Sequence, residues 1–409
     1  MLDITARATA PSGEVRRGAS SACPCCGGSS AHVIHRVPSI PVHSCVLLDT
    51  RDAALNFPRR DLELAFCDDC GFAYNRVFDE ASMRYSTDFE ESQHFSDTFS
   101  GFAARLAAEI AARCETEGKR VLEIGCGKGE FLAELCRVGR SSGIGIDPGY
   151  RADPGRPNKG ESLEFIVDHF GPRHADLLAD VVLCRHTLEH IPGVARFIAD
   201  IRSMIGERRD TWVVFETPDF KRVLGEAAFW DIYYEHCSYF SAGTHARLFR
   251  EHDFEVTDLA LAYDDQYIIQ YARPSAGNTR ANLPLEADTD EMRALAATFV
   301  DRVRQAETIW RERLADMRAA GRRVVLWGGG SKAVSFLTTM GLTDEVQAAV
   351  DINPYKQGKF TPGTGHPVIA PGSLLDEPPD LVIVMNPIYV PEVGKALSRI
   401  GLSPEITSV

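Results

Sequence analysis

The sequence predicts an α/β protein in three parts: a small cysteine-rich module, a Rossmann-like core, and a second Rossmann-like α/β domain toward the C-terminus. Three observations predict it. Two Cys-x-x-Cys-Gly runs stand near the start, a strand runs into glycines and a helix near residue 125, and the same pattern begins again near residue 328. The expected divisions are 1–80, 81–285 and 286–409, with a helical linker opening the third. Residues 1 to about 20 are polar, small and without period, so they are expected to be loosely ordered.

A chain of 409 residues with 44% hydrophobic and 25% charged residues has material for several packed cores. Its formal net charge of -14 opposes a broad basic field for nucleic acid, yet leaves room for a local pocket holding one phosphorylated ligand. No apolar stretch has the length needed to cross a bilayer, and the N-terminus lacks the order of a secretory signal, so a cytoplasmic protein without a membrane partner is expected. Eleven cysteines are out of place as disulfides in a reducing compartment; clustered ones read as metal ligands.

Cys23-Pro-Cys-Cys26-Gly and Cys67-Asp-Asp-Cys70-Gly each aim two thiols at one point from a tight turn, and together they fill a tetrahedral site for zinc. With all four positions taken, the metal is expected to be structural, in a zinc-ribbon-like module with Cys25 a bystander. Leu62 to Phe66 alternates as a half-buried strand on the way into the second knuckle.

A helix is expected around Ala103 to Ala112. After it, Arg120-Val-Leu-Glu-Ile-Gly-Cys-Gly-Lys-Gly passes from strand to helix. Gly125, Gly127 and Gly129 let the backbone approach a ligand, and the following helix presents its positive end there. The Gly-x-Gly-x-Gly spacing behind Glu123 favours S-adenosylmethionine over a dinucleotide, whose turn is Gly-x-Gly-x-x-Gly. The next strand ends on Asp147, placed for ribose hydroxyls. Asp168, His169 and Phe170 close a third strand where they can frame an adenine, and the fourth strand runs to His186.

Two ionisable clusters fall where strands should end: His186-Thr-Leu-Glu189-His190, and Trp230-Asp-Ile-Tyr233-Tyr234-Glu235-His236 beyond the strand Trp212 to Glu216. An imidazole takes protons near neutral pH, and a carboxylate beside it raises its basicity. His236 with Glu235 suits such a pair, and Tyr233 or Tyr234 suits donation to a developing enolate oxygen.

Residues from about Leu285 to Ala320 have helical composition. Arg323 to Trp327 is then a strand entering Gly328-Gly-Gly330-Ser331-Lys332-Ala333, with a distal acid, Asp351; alone this unit would suggest NAD. Lys332 offers a cation where a phosphate would sit, with Lys356 and Lys359 nearby. The loop Thr361 to Pro367 and the run Met385-Asn386-Pro-Ile-Tyr389 are expected to complete that pocket.

With the knuckles, the glycine turn, Thr187-Leu-Glu-His190, Tyr233-Tyr-Glu-His236 and Gly328-Gly-Gly-Ser-Lys332 in this order, the chain resembles the sugar C-methyltransferases acting on nucleotide-linked keto-deoxysugars. The likeness spans nearly all of it. It implies a zinc-binding first domain, a Rossmann-like core binding S-adenosylmethionine, and a C-terminal domain that shares the nucleotide-sugar with it. It implies further that Tyr233, Glu235, His236 and His190 line the active site, with His236 as the base beside the keto group. The family's tyrosine after the zinc module falls at Tyr85, with Phe89 the other place for it. Competing readings are an O- or N-methyltransferase on a sugar or other phosphorylated small molecule and, from another class, an NAD-dependent oxidoreductase.

Overall fold

The computed structural model describes residues 22–83, 92–151, 162–277 and 281–409. The N-terminal twenty residues, Tyr85 and Phe89 lie outside them.

β1 (Ala31–Pro41), β2 (Arg59–Cys67) and β3 (Ala73–Asn75) form an antiparallel meander that carries both cysteine pairs at one end. The expected half-buried strand is buried on both faces from Leu64 onward. Leu62, Leu64 and Phe66 pack with Phe299 of the long helix Thr289–Ala319, while Ala65 and Cys67 join a cluster containing Phe240.

β4 (Arg120–Ile124), β5 (Ser142–Ile146), β6 (Leu163–Ile166), β7 (Val181–Arg185) and β8 (Trp212–Pro218) are parallel. Val121, Leu122, Val181, Val182 and Leu183 are each fully buried, as continuous apolar runs are when helices cover both faces of a parallel sheet. Then β9 (Ser238–Tyr239) leaves this sheet and pairs with β3, completing the meander. β10 (Phe254–Ala262) and β11 (Tyr267–Pro274) return as an antiparallel hairpin beside β8, giving the order β10-β11-β8-β7-β4-β5-β6. That hairpin is absent from the sequence reading. The strand order reverses at β4, so a ligand crevice opens between the ends of β4 and β7.

β12 (Val324–Trp327), β13 (Ala348–Val350), β14 (Val368–Ile369), β15 (Leu381–Val384) and β16 (Glu405–Ser408) form a second parallel sheet in the order β14-β13-β12-β15-β16. Its reversal point lies at β12, beside the second glycine turn. The helix Thr289–Ala319 bridges the units: Phe299 meets His35 edge-on and Trp310 meets Phe336. Among the described residues no helix is long and apolar enough to cross a membrane.

Candidate active site

Gly125 adopts φ 73°, and a Cβ there would stand 1.9 Å from Thr187 Oγ1, so the first turn accepts no side chain at this point. Gly129 (φ 76°) begins the helix Glu130–Gly139, whose N-terminus faces the crevice. Asp147 accepts the Gly127 N–H at 3.0 Å and the Gly149 N–H at 2.7 Å, which aim its carboxylate along the turn. Burial pushes Glu123 up to about 8 against the pull of Arg185, and its Oε2 has no partner among the described residues. Phe170 stacks on His174, and Asp168 pairs with Arg173 and stands 3.5 Å from His174. A glycine cradle that a Cβ would fill, with a buried unpartnered carboxyl beside it, fits an adenosyl donor.

One cavity of about 600 Å³, within the range of small-molecule sites, joins this cradle to the other two sheets. Gly125, Asp147, His190, His236, Lys332 and Asn386 all line it. So do Asp168, His169, Phe170 and His186 on the donor side, and Gly330, Ser331, Asp351, Lys356 and Tyr389 on the C-terminal side.

His190 and His236 meet edge-on at 4.8 Å between ring centres, and Tyr233 meets His236 at 4.6 Å. His190 Nδ1 lies 3.0 Å from the Glu235 carbonyl oxygen. That oxygen only accepts, so Nδ1 carries the proton and Nε2 is the basic atom. Burial pushes both imidazoles down, His236 to about 3 with His190 adding to the effect.

The expected Glu235–His236 pair is corrected: neighbours in sequence, the two side chains diverge. Glu235 accepts the Ser44 N–H at 2.8 Å and the Ser44 hydroxyl, with His43 at 3.8 Å. Burial pushes it up to about 7, Ser44 opposing. The carboxylate facing His236 is Glu189: one of its oxygens and one ring nitrogen each of His190 and His236 lie within 4.8 Å of one another. His186 has both ring nitrogens on carboxylates, Nε2 on Glu216 at 3.0 Å and Nδ1 on Glu189 at 3.5 Å. Burial opposes its charge, yet these partners push it up to about 9.

Tyr233 donates to Asp231 Oδ1 at 2.7 Å. Tyr234, the alternative, is fully buried, accepts the Asp79 N–H, packs on Phe78 and does not itself line the cavity. Asp231 is the residue that sequence reading passed over: it also holds Arg222 and Lys332, whose Nζ is 3.0 Å away. Lys332 therefore enters the site already paired, with further ammonium protons to offer. Ser331 Oγ lies 3.1 Å from Cys45 Sγ, joining the second turn to the loop after β1.

Asp351 accepts the Gly329 N–H at 2.8 Å and stands 3.7 Å from Lys356. Asn386 and Gln266 exchange amide hydrogen bonds at 2.8 and 3.0 Å, and the Tyr389 hydroxyl accepts from Tyr263 at 2.6 Å; both pairs tie the C-terminal sheet to the core. Two expectations are corrected here. Lys359 is drawn to Asp49 at 3.1 Å and does not line the cavity. The Thr361 to Pro367 loop also lies elsewhere: His366 bonds the Thr343 carbonyl oxygen at 2.8 Å, and a Cβ at Gly363 would meet Pro41.

At the far end of the meander, Cys23, Cys26, Cys67 and Cys70 converge, with Sγ–Sγ separations of 3.8 Å for Cys23–Cys70 and Cys26–Cys67. Four sulfurs each about 2.3 Å from one metal give tetrahedron edges of about 3.8 Å, whereas a disulfide needs about 2.05 Å. The donor set fits a thiophilic ion.

Fold and cavity define the class: the chain is an S-adenosylmethionine-dependent methyltransferase. Residues 93–259 match the family model described as a methyltransferase domain, and residues 270–401 match the one described as a C-methyltransferase C-terminal domain. The chain thus combines a methyltransferase domain with a C-methyltransferase C-terminal domain. The C-methyltransferase NovU of Streptomyces niveus is similar to it, 27% identical over 294 residues that cover 68% of this chain and 69% of that protein. Solved structures with some likeness include the 1,6-didemethyltoxoflavin-N1-methyltransferase of Burkholderia thailandensis, 17% identical over 44% of this chain and 81% of that one, at TM-score 0.34. Magnesium protoporphyrin IX methyltransferase of Synechocystis PCC 6803 is 15% identical over 44% and 84% of the two chains, at TM-score 0.35.

Proposed function

We propose that this C-methyltransferase acts on a nucleotide-linked keto-sugar, with His236 removing the proton beside the keto group. The observation that carries the reading is the single cavity in which the donor cradle, the His190–His236 pair and the Gly328–Lys332 turn meet. The donor, held at Gly125, Gly127, Gly129 and Asp147 with Glu123, Asp168, His169 and Phe170 around it, supplies an electrophilic methyl group when bound. A carbon acceptor needs a base and a stabilised oxyanion, because a C–H beside a carbonyl is a far weaker acid than a hydroxyl. His236 takes that proton onto its ring. Tyr233, on exchanging Asp231 for the substrate, donates to the oxygen, and His190 borders the same space. Lys332 and Lys356, with Asp351, Asn386 and Tyr389, hold the nucleotide end. Cys23, Cys26, Cys67 and Cys70 hold a structural Zn²⁺.

The test is solvent exchange without donor. Thymidine-, uridine-, guanosine- and cytidine-diphosphate-linked keto-6-deoxyhexoses are incubated with the enzyme in deuterated water. One of them should lose its α-proton signal, and His236→Asn should abolish the loss. Absence of exchange across the panel, with the methyl of the product found on oxygen or nitrogen by NMR, would replace the reading with the O- or N-methyltransferase.

A further inference from the structure

His236, as the base of the reading above, is half-buried in surroundings that on balance disfavour its protonated form. His190 faces it at 4.8 Å, Tyr233 at 4.6 Å and Tyr239 at 6.2 Å; His190 and His186 oppose its charge, while Glu189 and Asp231 favour it. Left so, it would be a feeble base; burial drives it down, and Glu189 is the first of the nearby groups to act the other way. The sequence-adjacent carboxylate is committed to Ser44.

We propose that Glu189 is the positioning carboxylate of His236, and that His186 locks Glu189 in place. Glu189 is 3% exposed, and its Oε2 accepts no hydrogen bond among the described residues although its Oε1 lies 3.5 Å from His186 Nδ1. A buried, unpartnered carboxylate oxygen is costly, and such an oxygen persists where something else uses it. Behind Glu189 the charges alternate: His186 bridges it to Glu216, and Glu216 pairs with Arg185. Both neighbours of His186 only accept, so both its nitrogens carry protons and the ring is an imidazolium. That cation keeps Glu189 ionised in a buried site; burial would protonate it, and the His186 hydrogen bond overrides this. The backbone agrees with a built site, since His186 is held at φ 46°, a left-handed conformation costly for a histidine, with its N–H donated to the Glu216 carbonyl oxygen at 2.9 Å. When His236 takes the substrate proton, the new imidazolium faces an anion already in place and already clamped.

The inference rests on the His236 base, and the exchange assay separates the two. With the responding sugar of the panel, Glu189→Gln should slow exchange at least about 100-fold, the scale of a general base's contribution. The acid limb of the pH profile should also move to lower pH by about one unit or more, because losing the carboxylate weakens the base. Glu189→Asp should restore most of the rate. A structural role alone would lower the rate without moving the limb. Should Glu189→Gln lose its near-ultraviolet circular dichroism, Glu189→Ala is read instead, and its limb should shift the same way. A limb that stays in place in the folded variant overturns the proposal while the base stands. Wild-type enzyme silent on the whole panel removes the base, and this inference with it.

Discussion

Lys332 Nζ stands 3.0 Å from Asp231 Oδ2, so that the second glycine turn is bonded to the loop that presents Tyr233 and His236. Asp231 is driven well below the usual carboxylate range, burial opposing but Lys332 and Arg222 prevailing. Asp231→Asn would leave two cations facing each other in a buried space. A loss of about 3 kcal/mol in urea unfolding is expected, as for other buried pairs deprived of one partner. A loss under about 1 kcal/mol would show the pair to be peripheral.

Donor binding should fail on adding one methyl group. Gly125→Ala places a Cβ against Thr187 Oγ1 and in a left-handed backbone conformation. Titration calorimetry with S-adenosylhomocysteine should show at least about 100-fold weaker binding, close to 3 kcal/mol. Unchanged affinity would mean that the nucleoside lies elsewhere.

Stability should fall in alkali through His186. Its folded value of about 9 lies above the ordinary 6.5, so its contribution is complete below pH 6.5 and is lost as pH rises through 9. About 3 kcal/mol should disappear across that window, and His186→Gln should flatten the slope there. Glu216, at about 2 instead of 4.5 because Arg185 and His186 outweigh burial, adds stability above pH 4.5 that is lost on acidification. Denaturant midpoints measured at half-unit steps of pH read both limbs.

Metal analysis of the purified protein should find about one zinc per chain, and Cys67→Ser should lower that content together with the melting temperature, by about 5 °C or more. Full stability in a metal-free sample would dismiss the ion as a structural element.

What could be read in advance was what is local. The turn at Gly125, the acid at Asp147 and the paired cysteines are short patterns whose spacing dictates geometry, and all lie where that spacing requires. The carboxylate facing His236 was not legible, because the neighbour Glu235 turns away to Ser44 while the single helical turn Leu188–His190, which follows β7, brings Glu189 in from elsewhere in the chain. β9 has two residues and no pattern of its own. The β10–β11 hairpin lacked a recognisable turn dipeptide; Tyr263, Asp264 and Asp265 adopt positive φ without a glycine among them. Lys359 is drawn to Asp49, which is remote in sequence, so no local pattern reveals its partner.

Because Ser238 and Tyr239 follow His236 after one residue, Cys237, and zip onto β3, the four-cysteine ribbon and the run that carries His236 share one piece of backbone. Excising the leading eighty residues would strip His236 of that scaffold. A recombinant fragment starting at the donor cradle should therefore be unable to turn over, because Cys67, Phe72 and Tyr74 also pack in one core with Leu122 and Ile124 of β4.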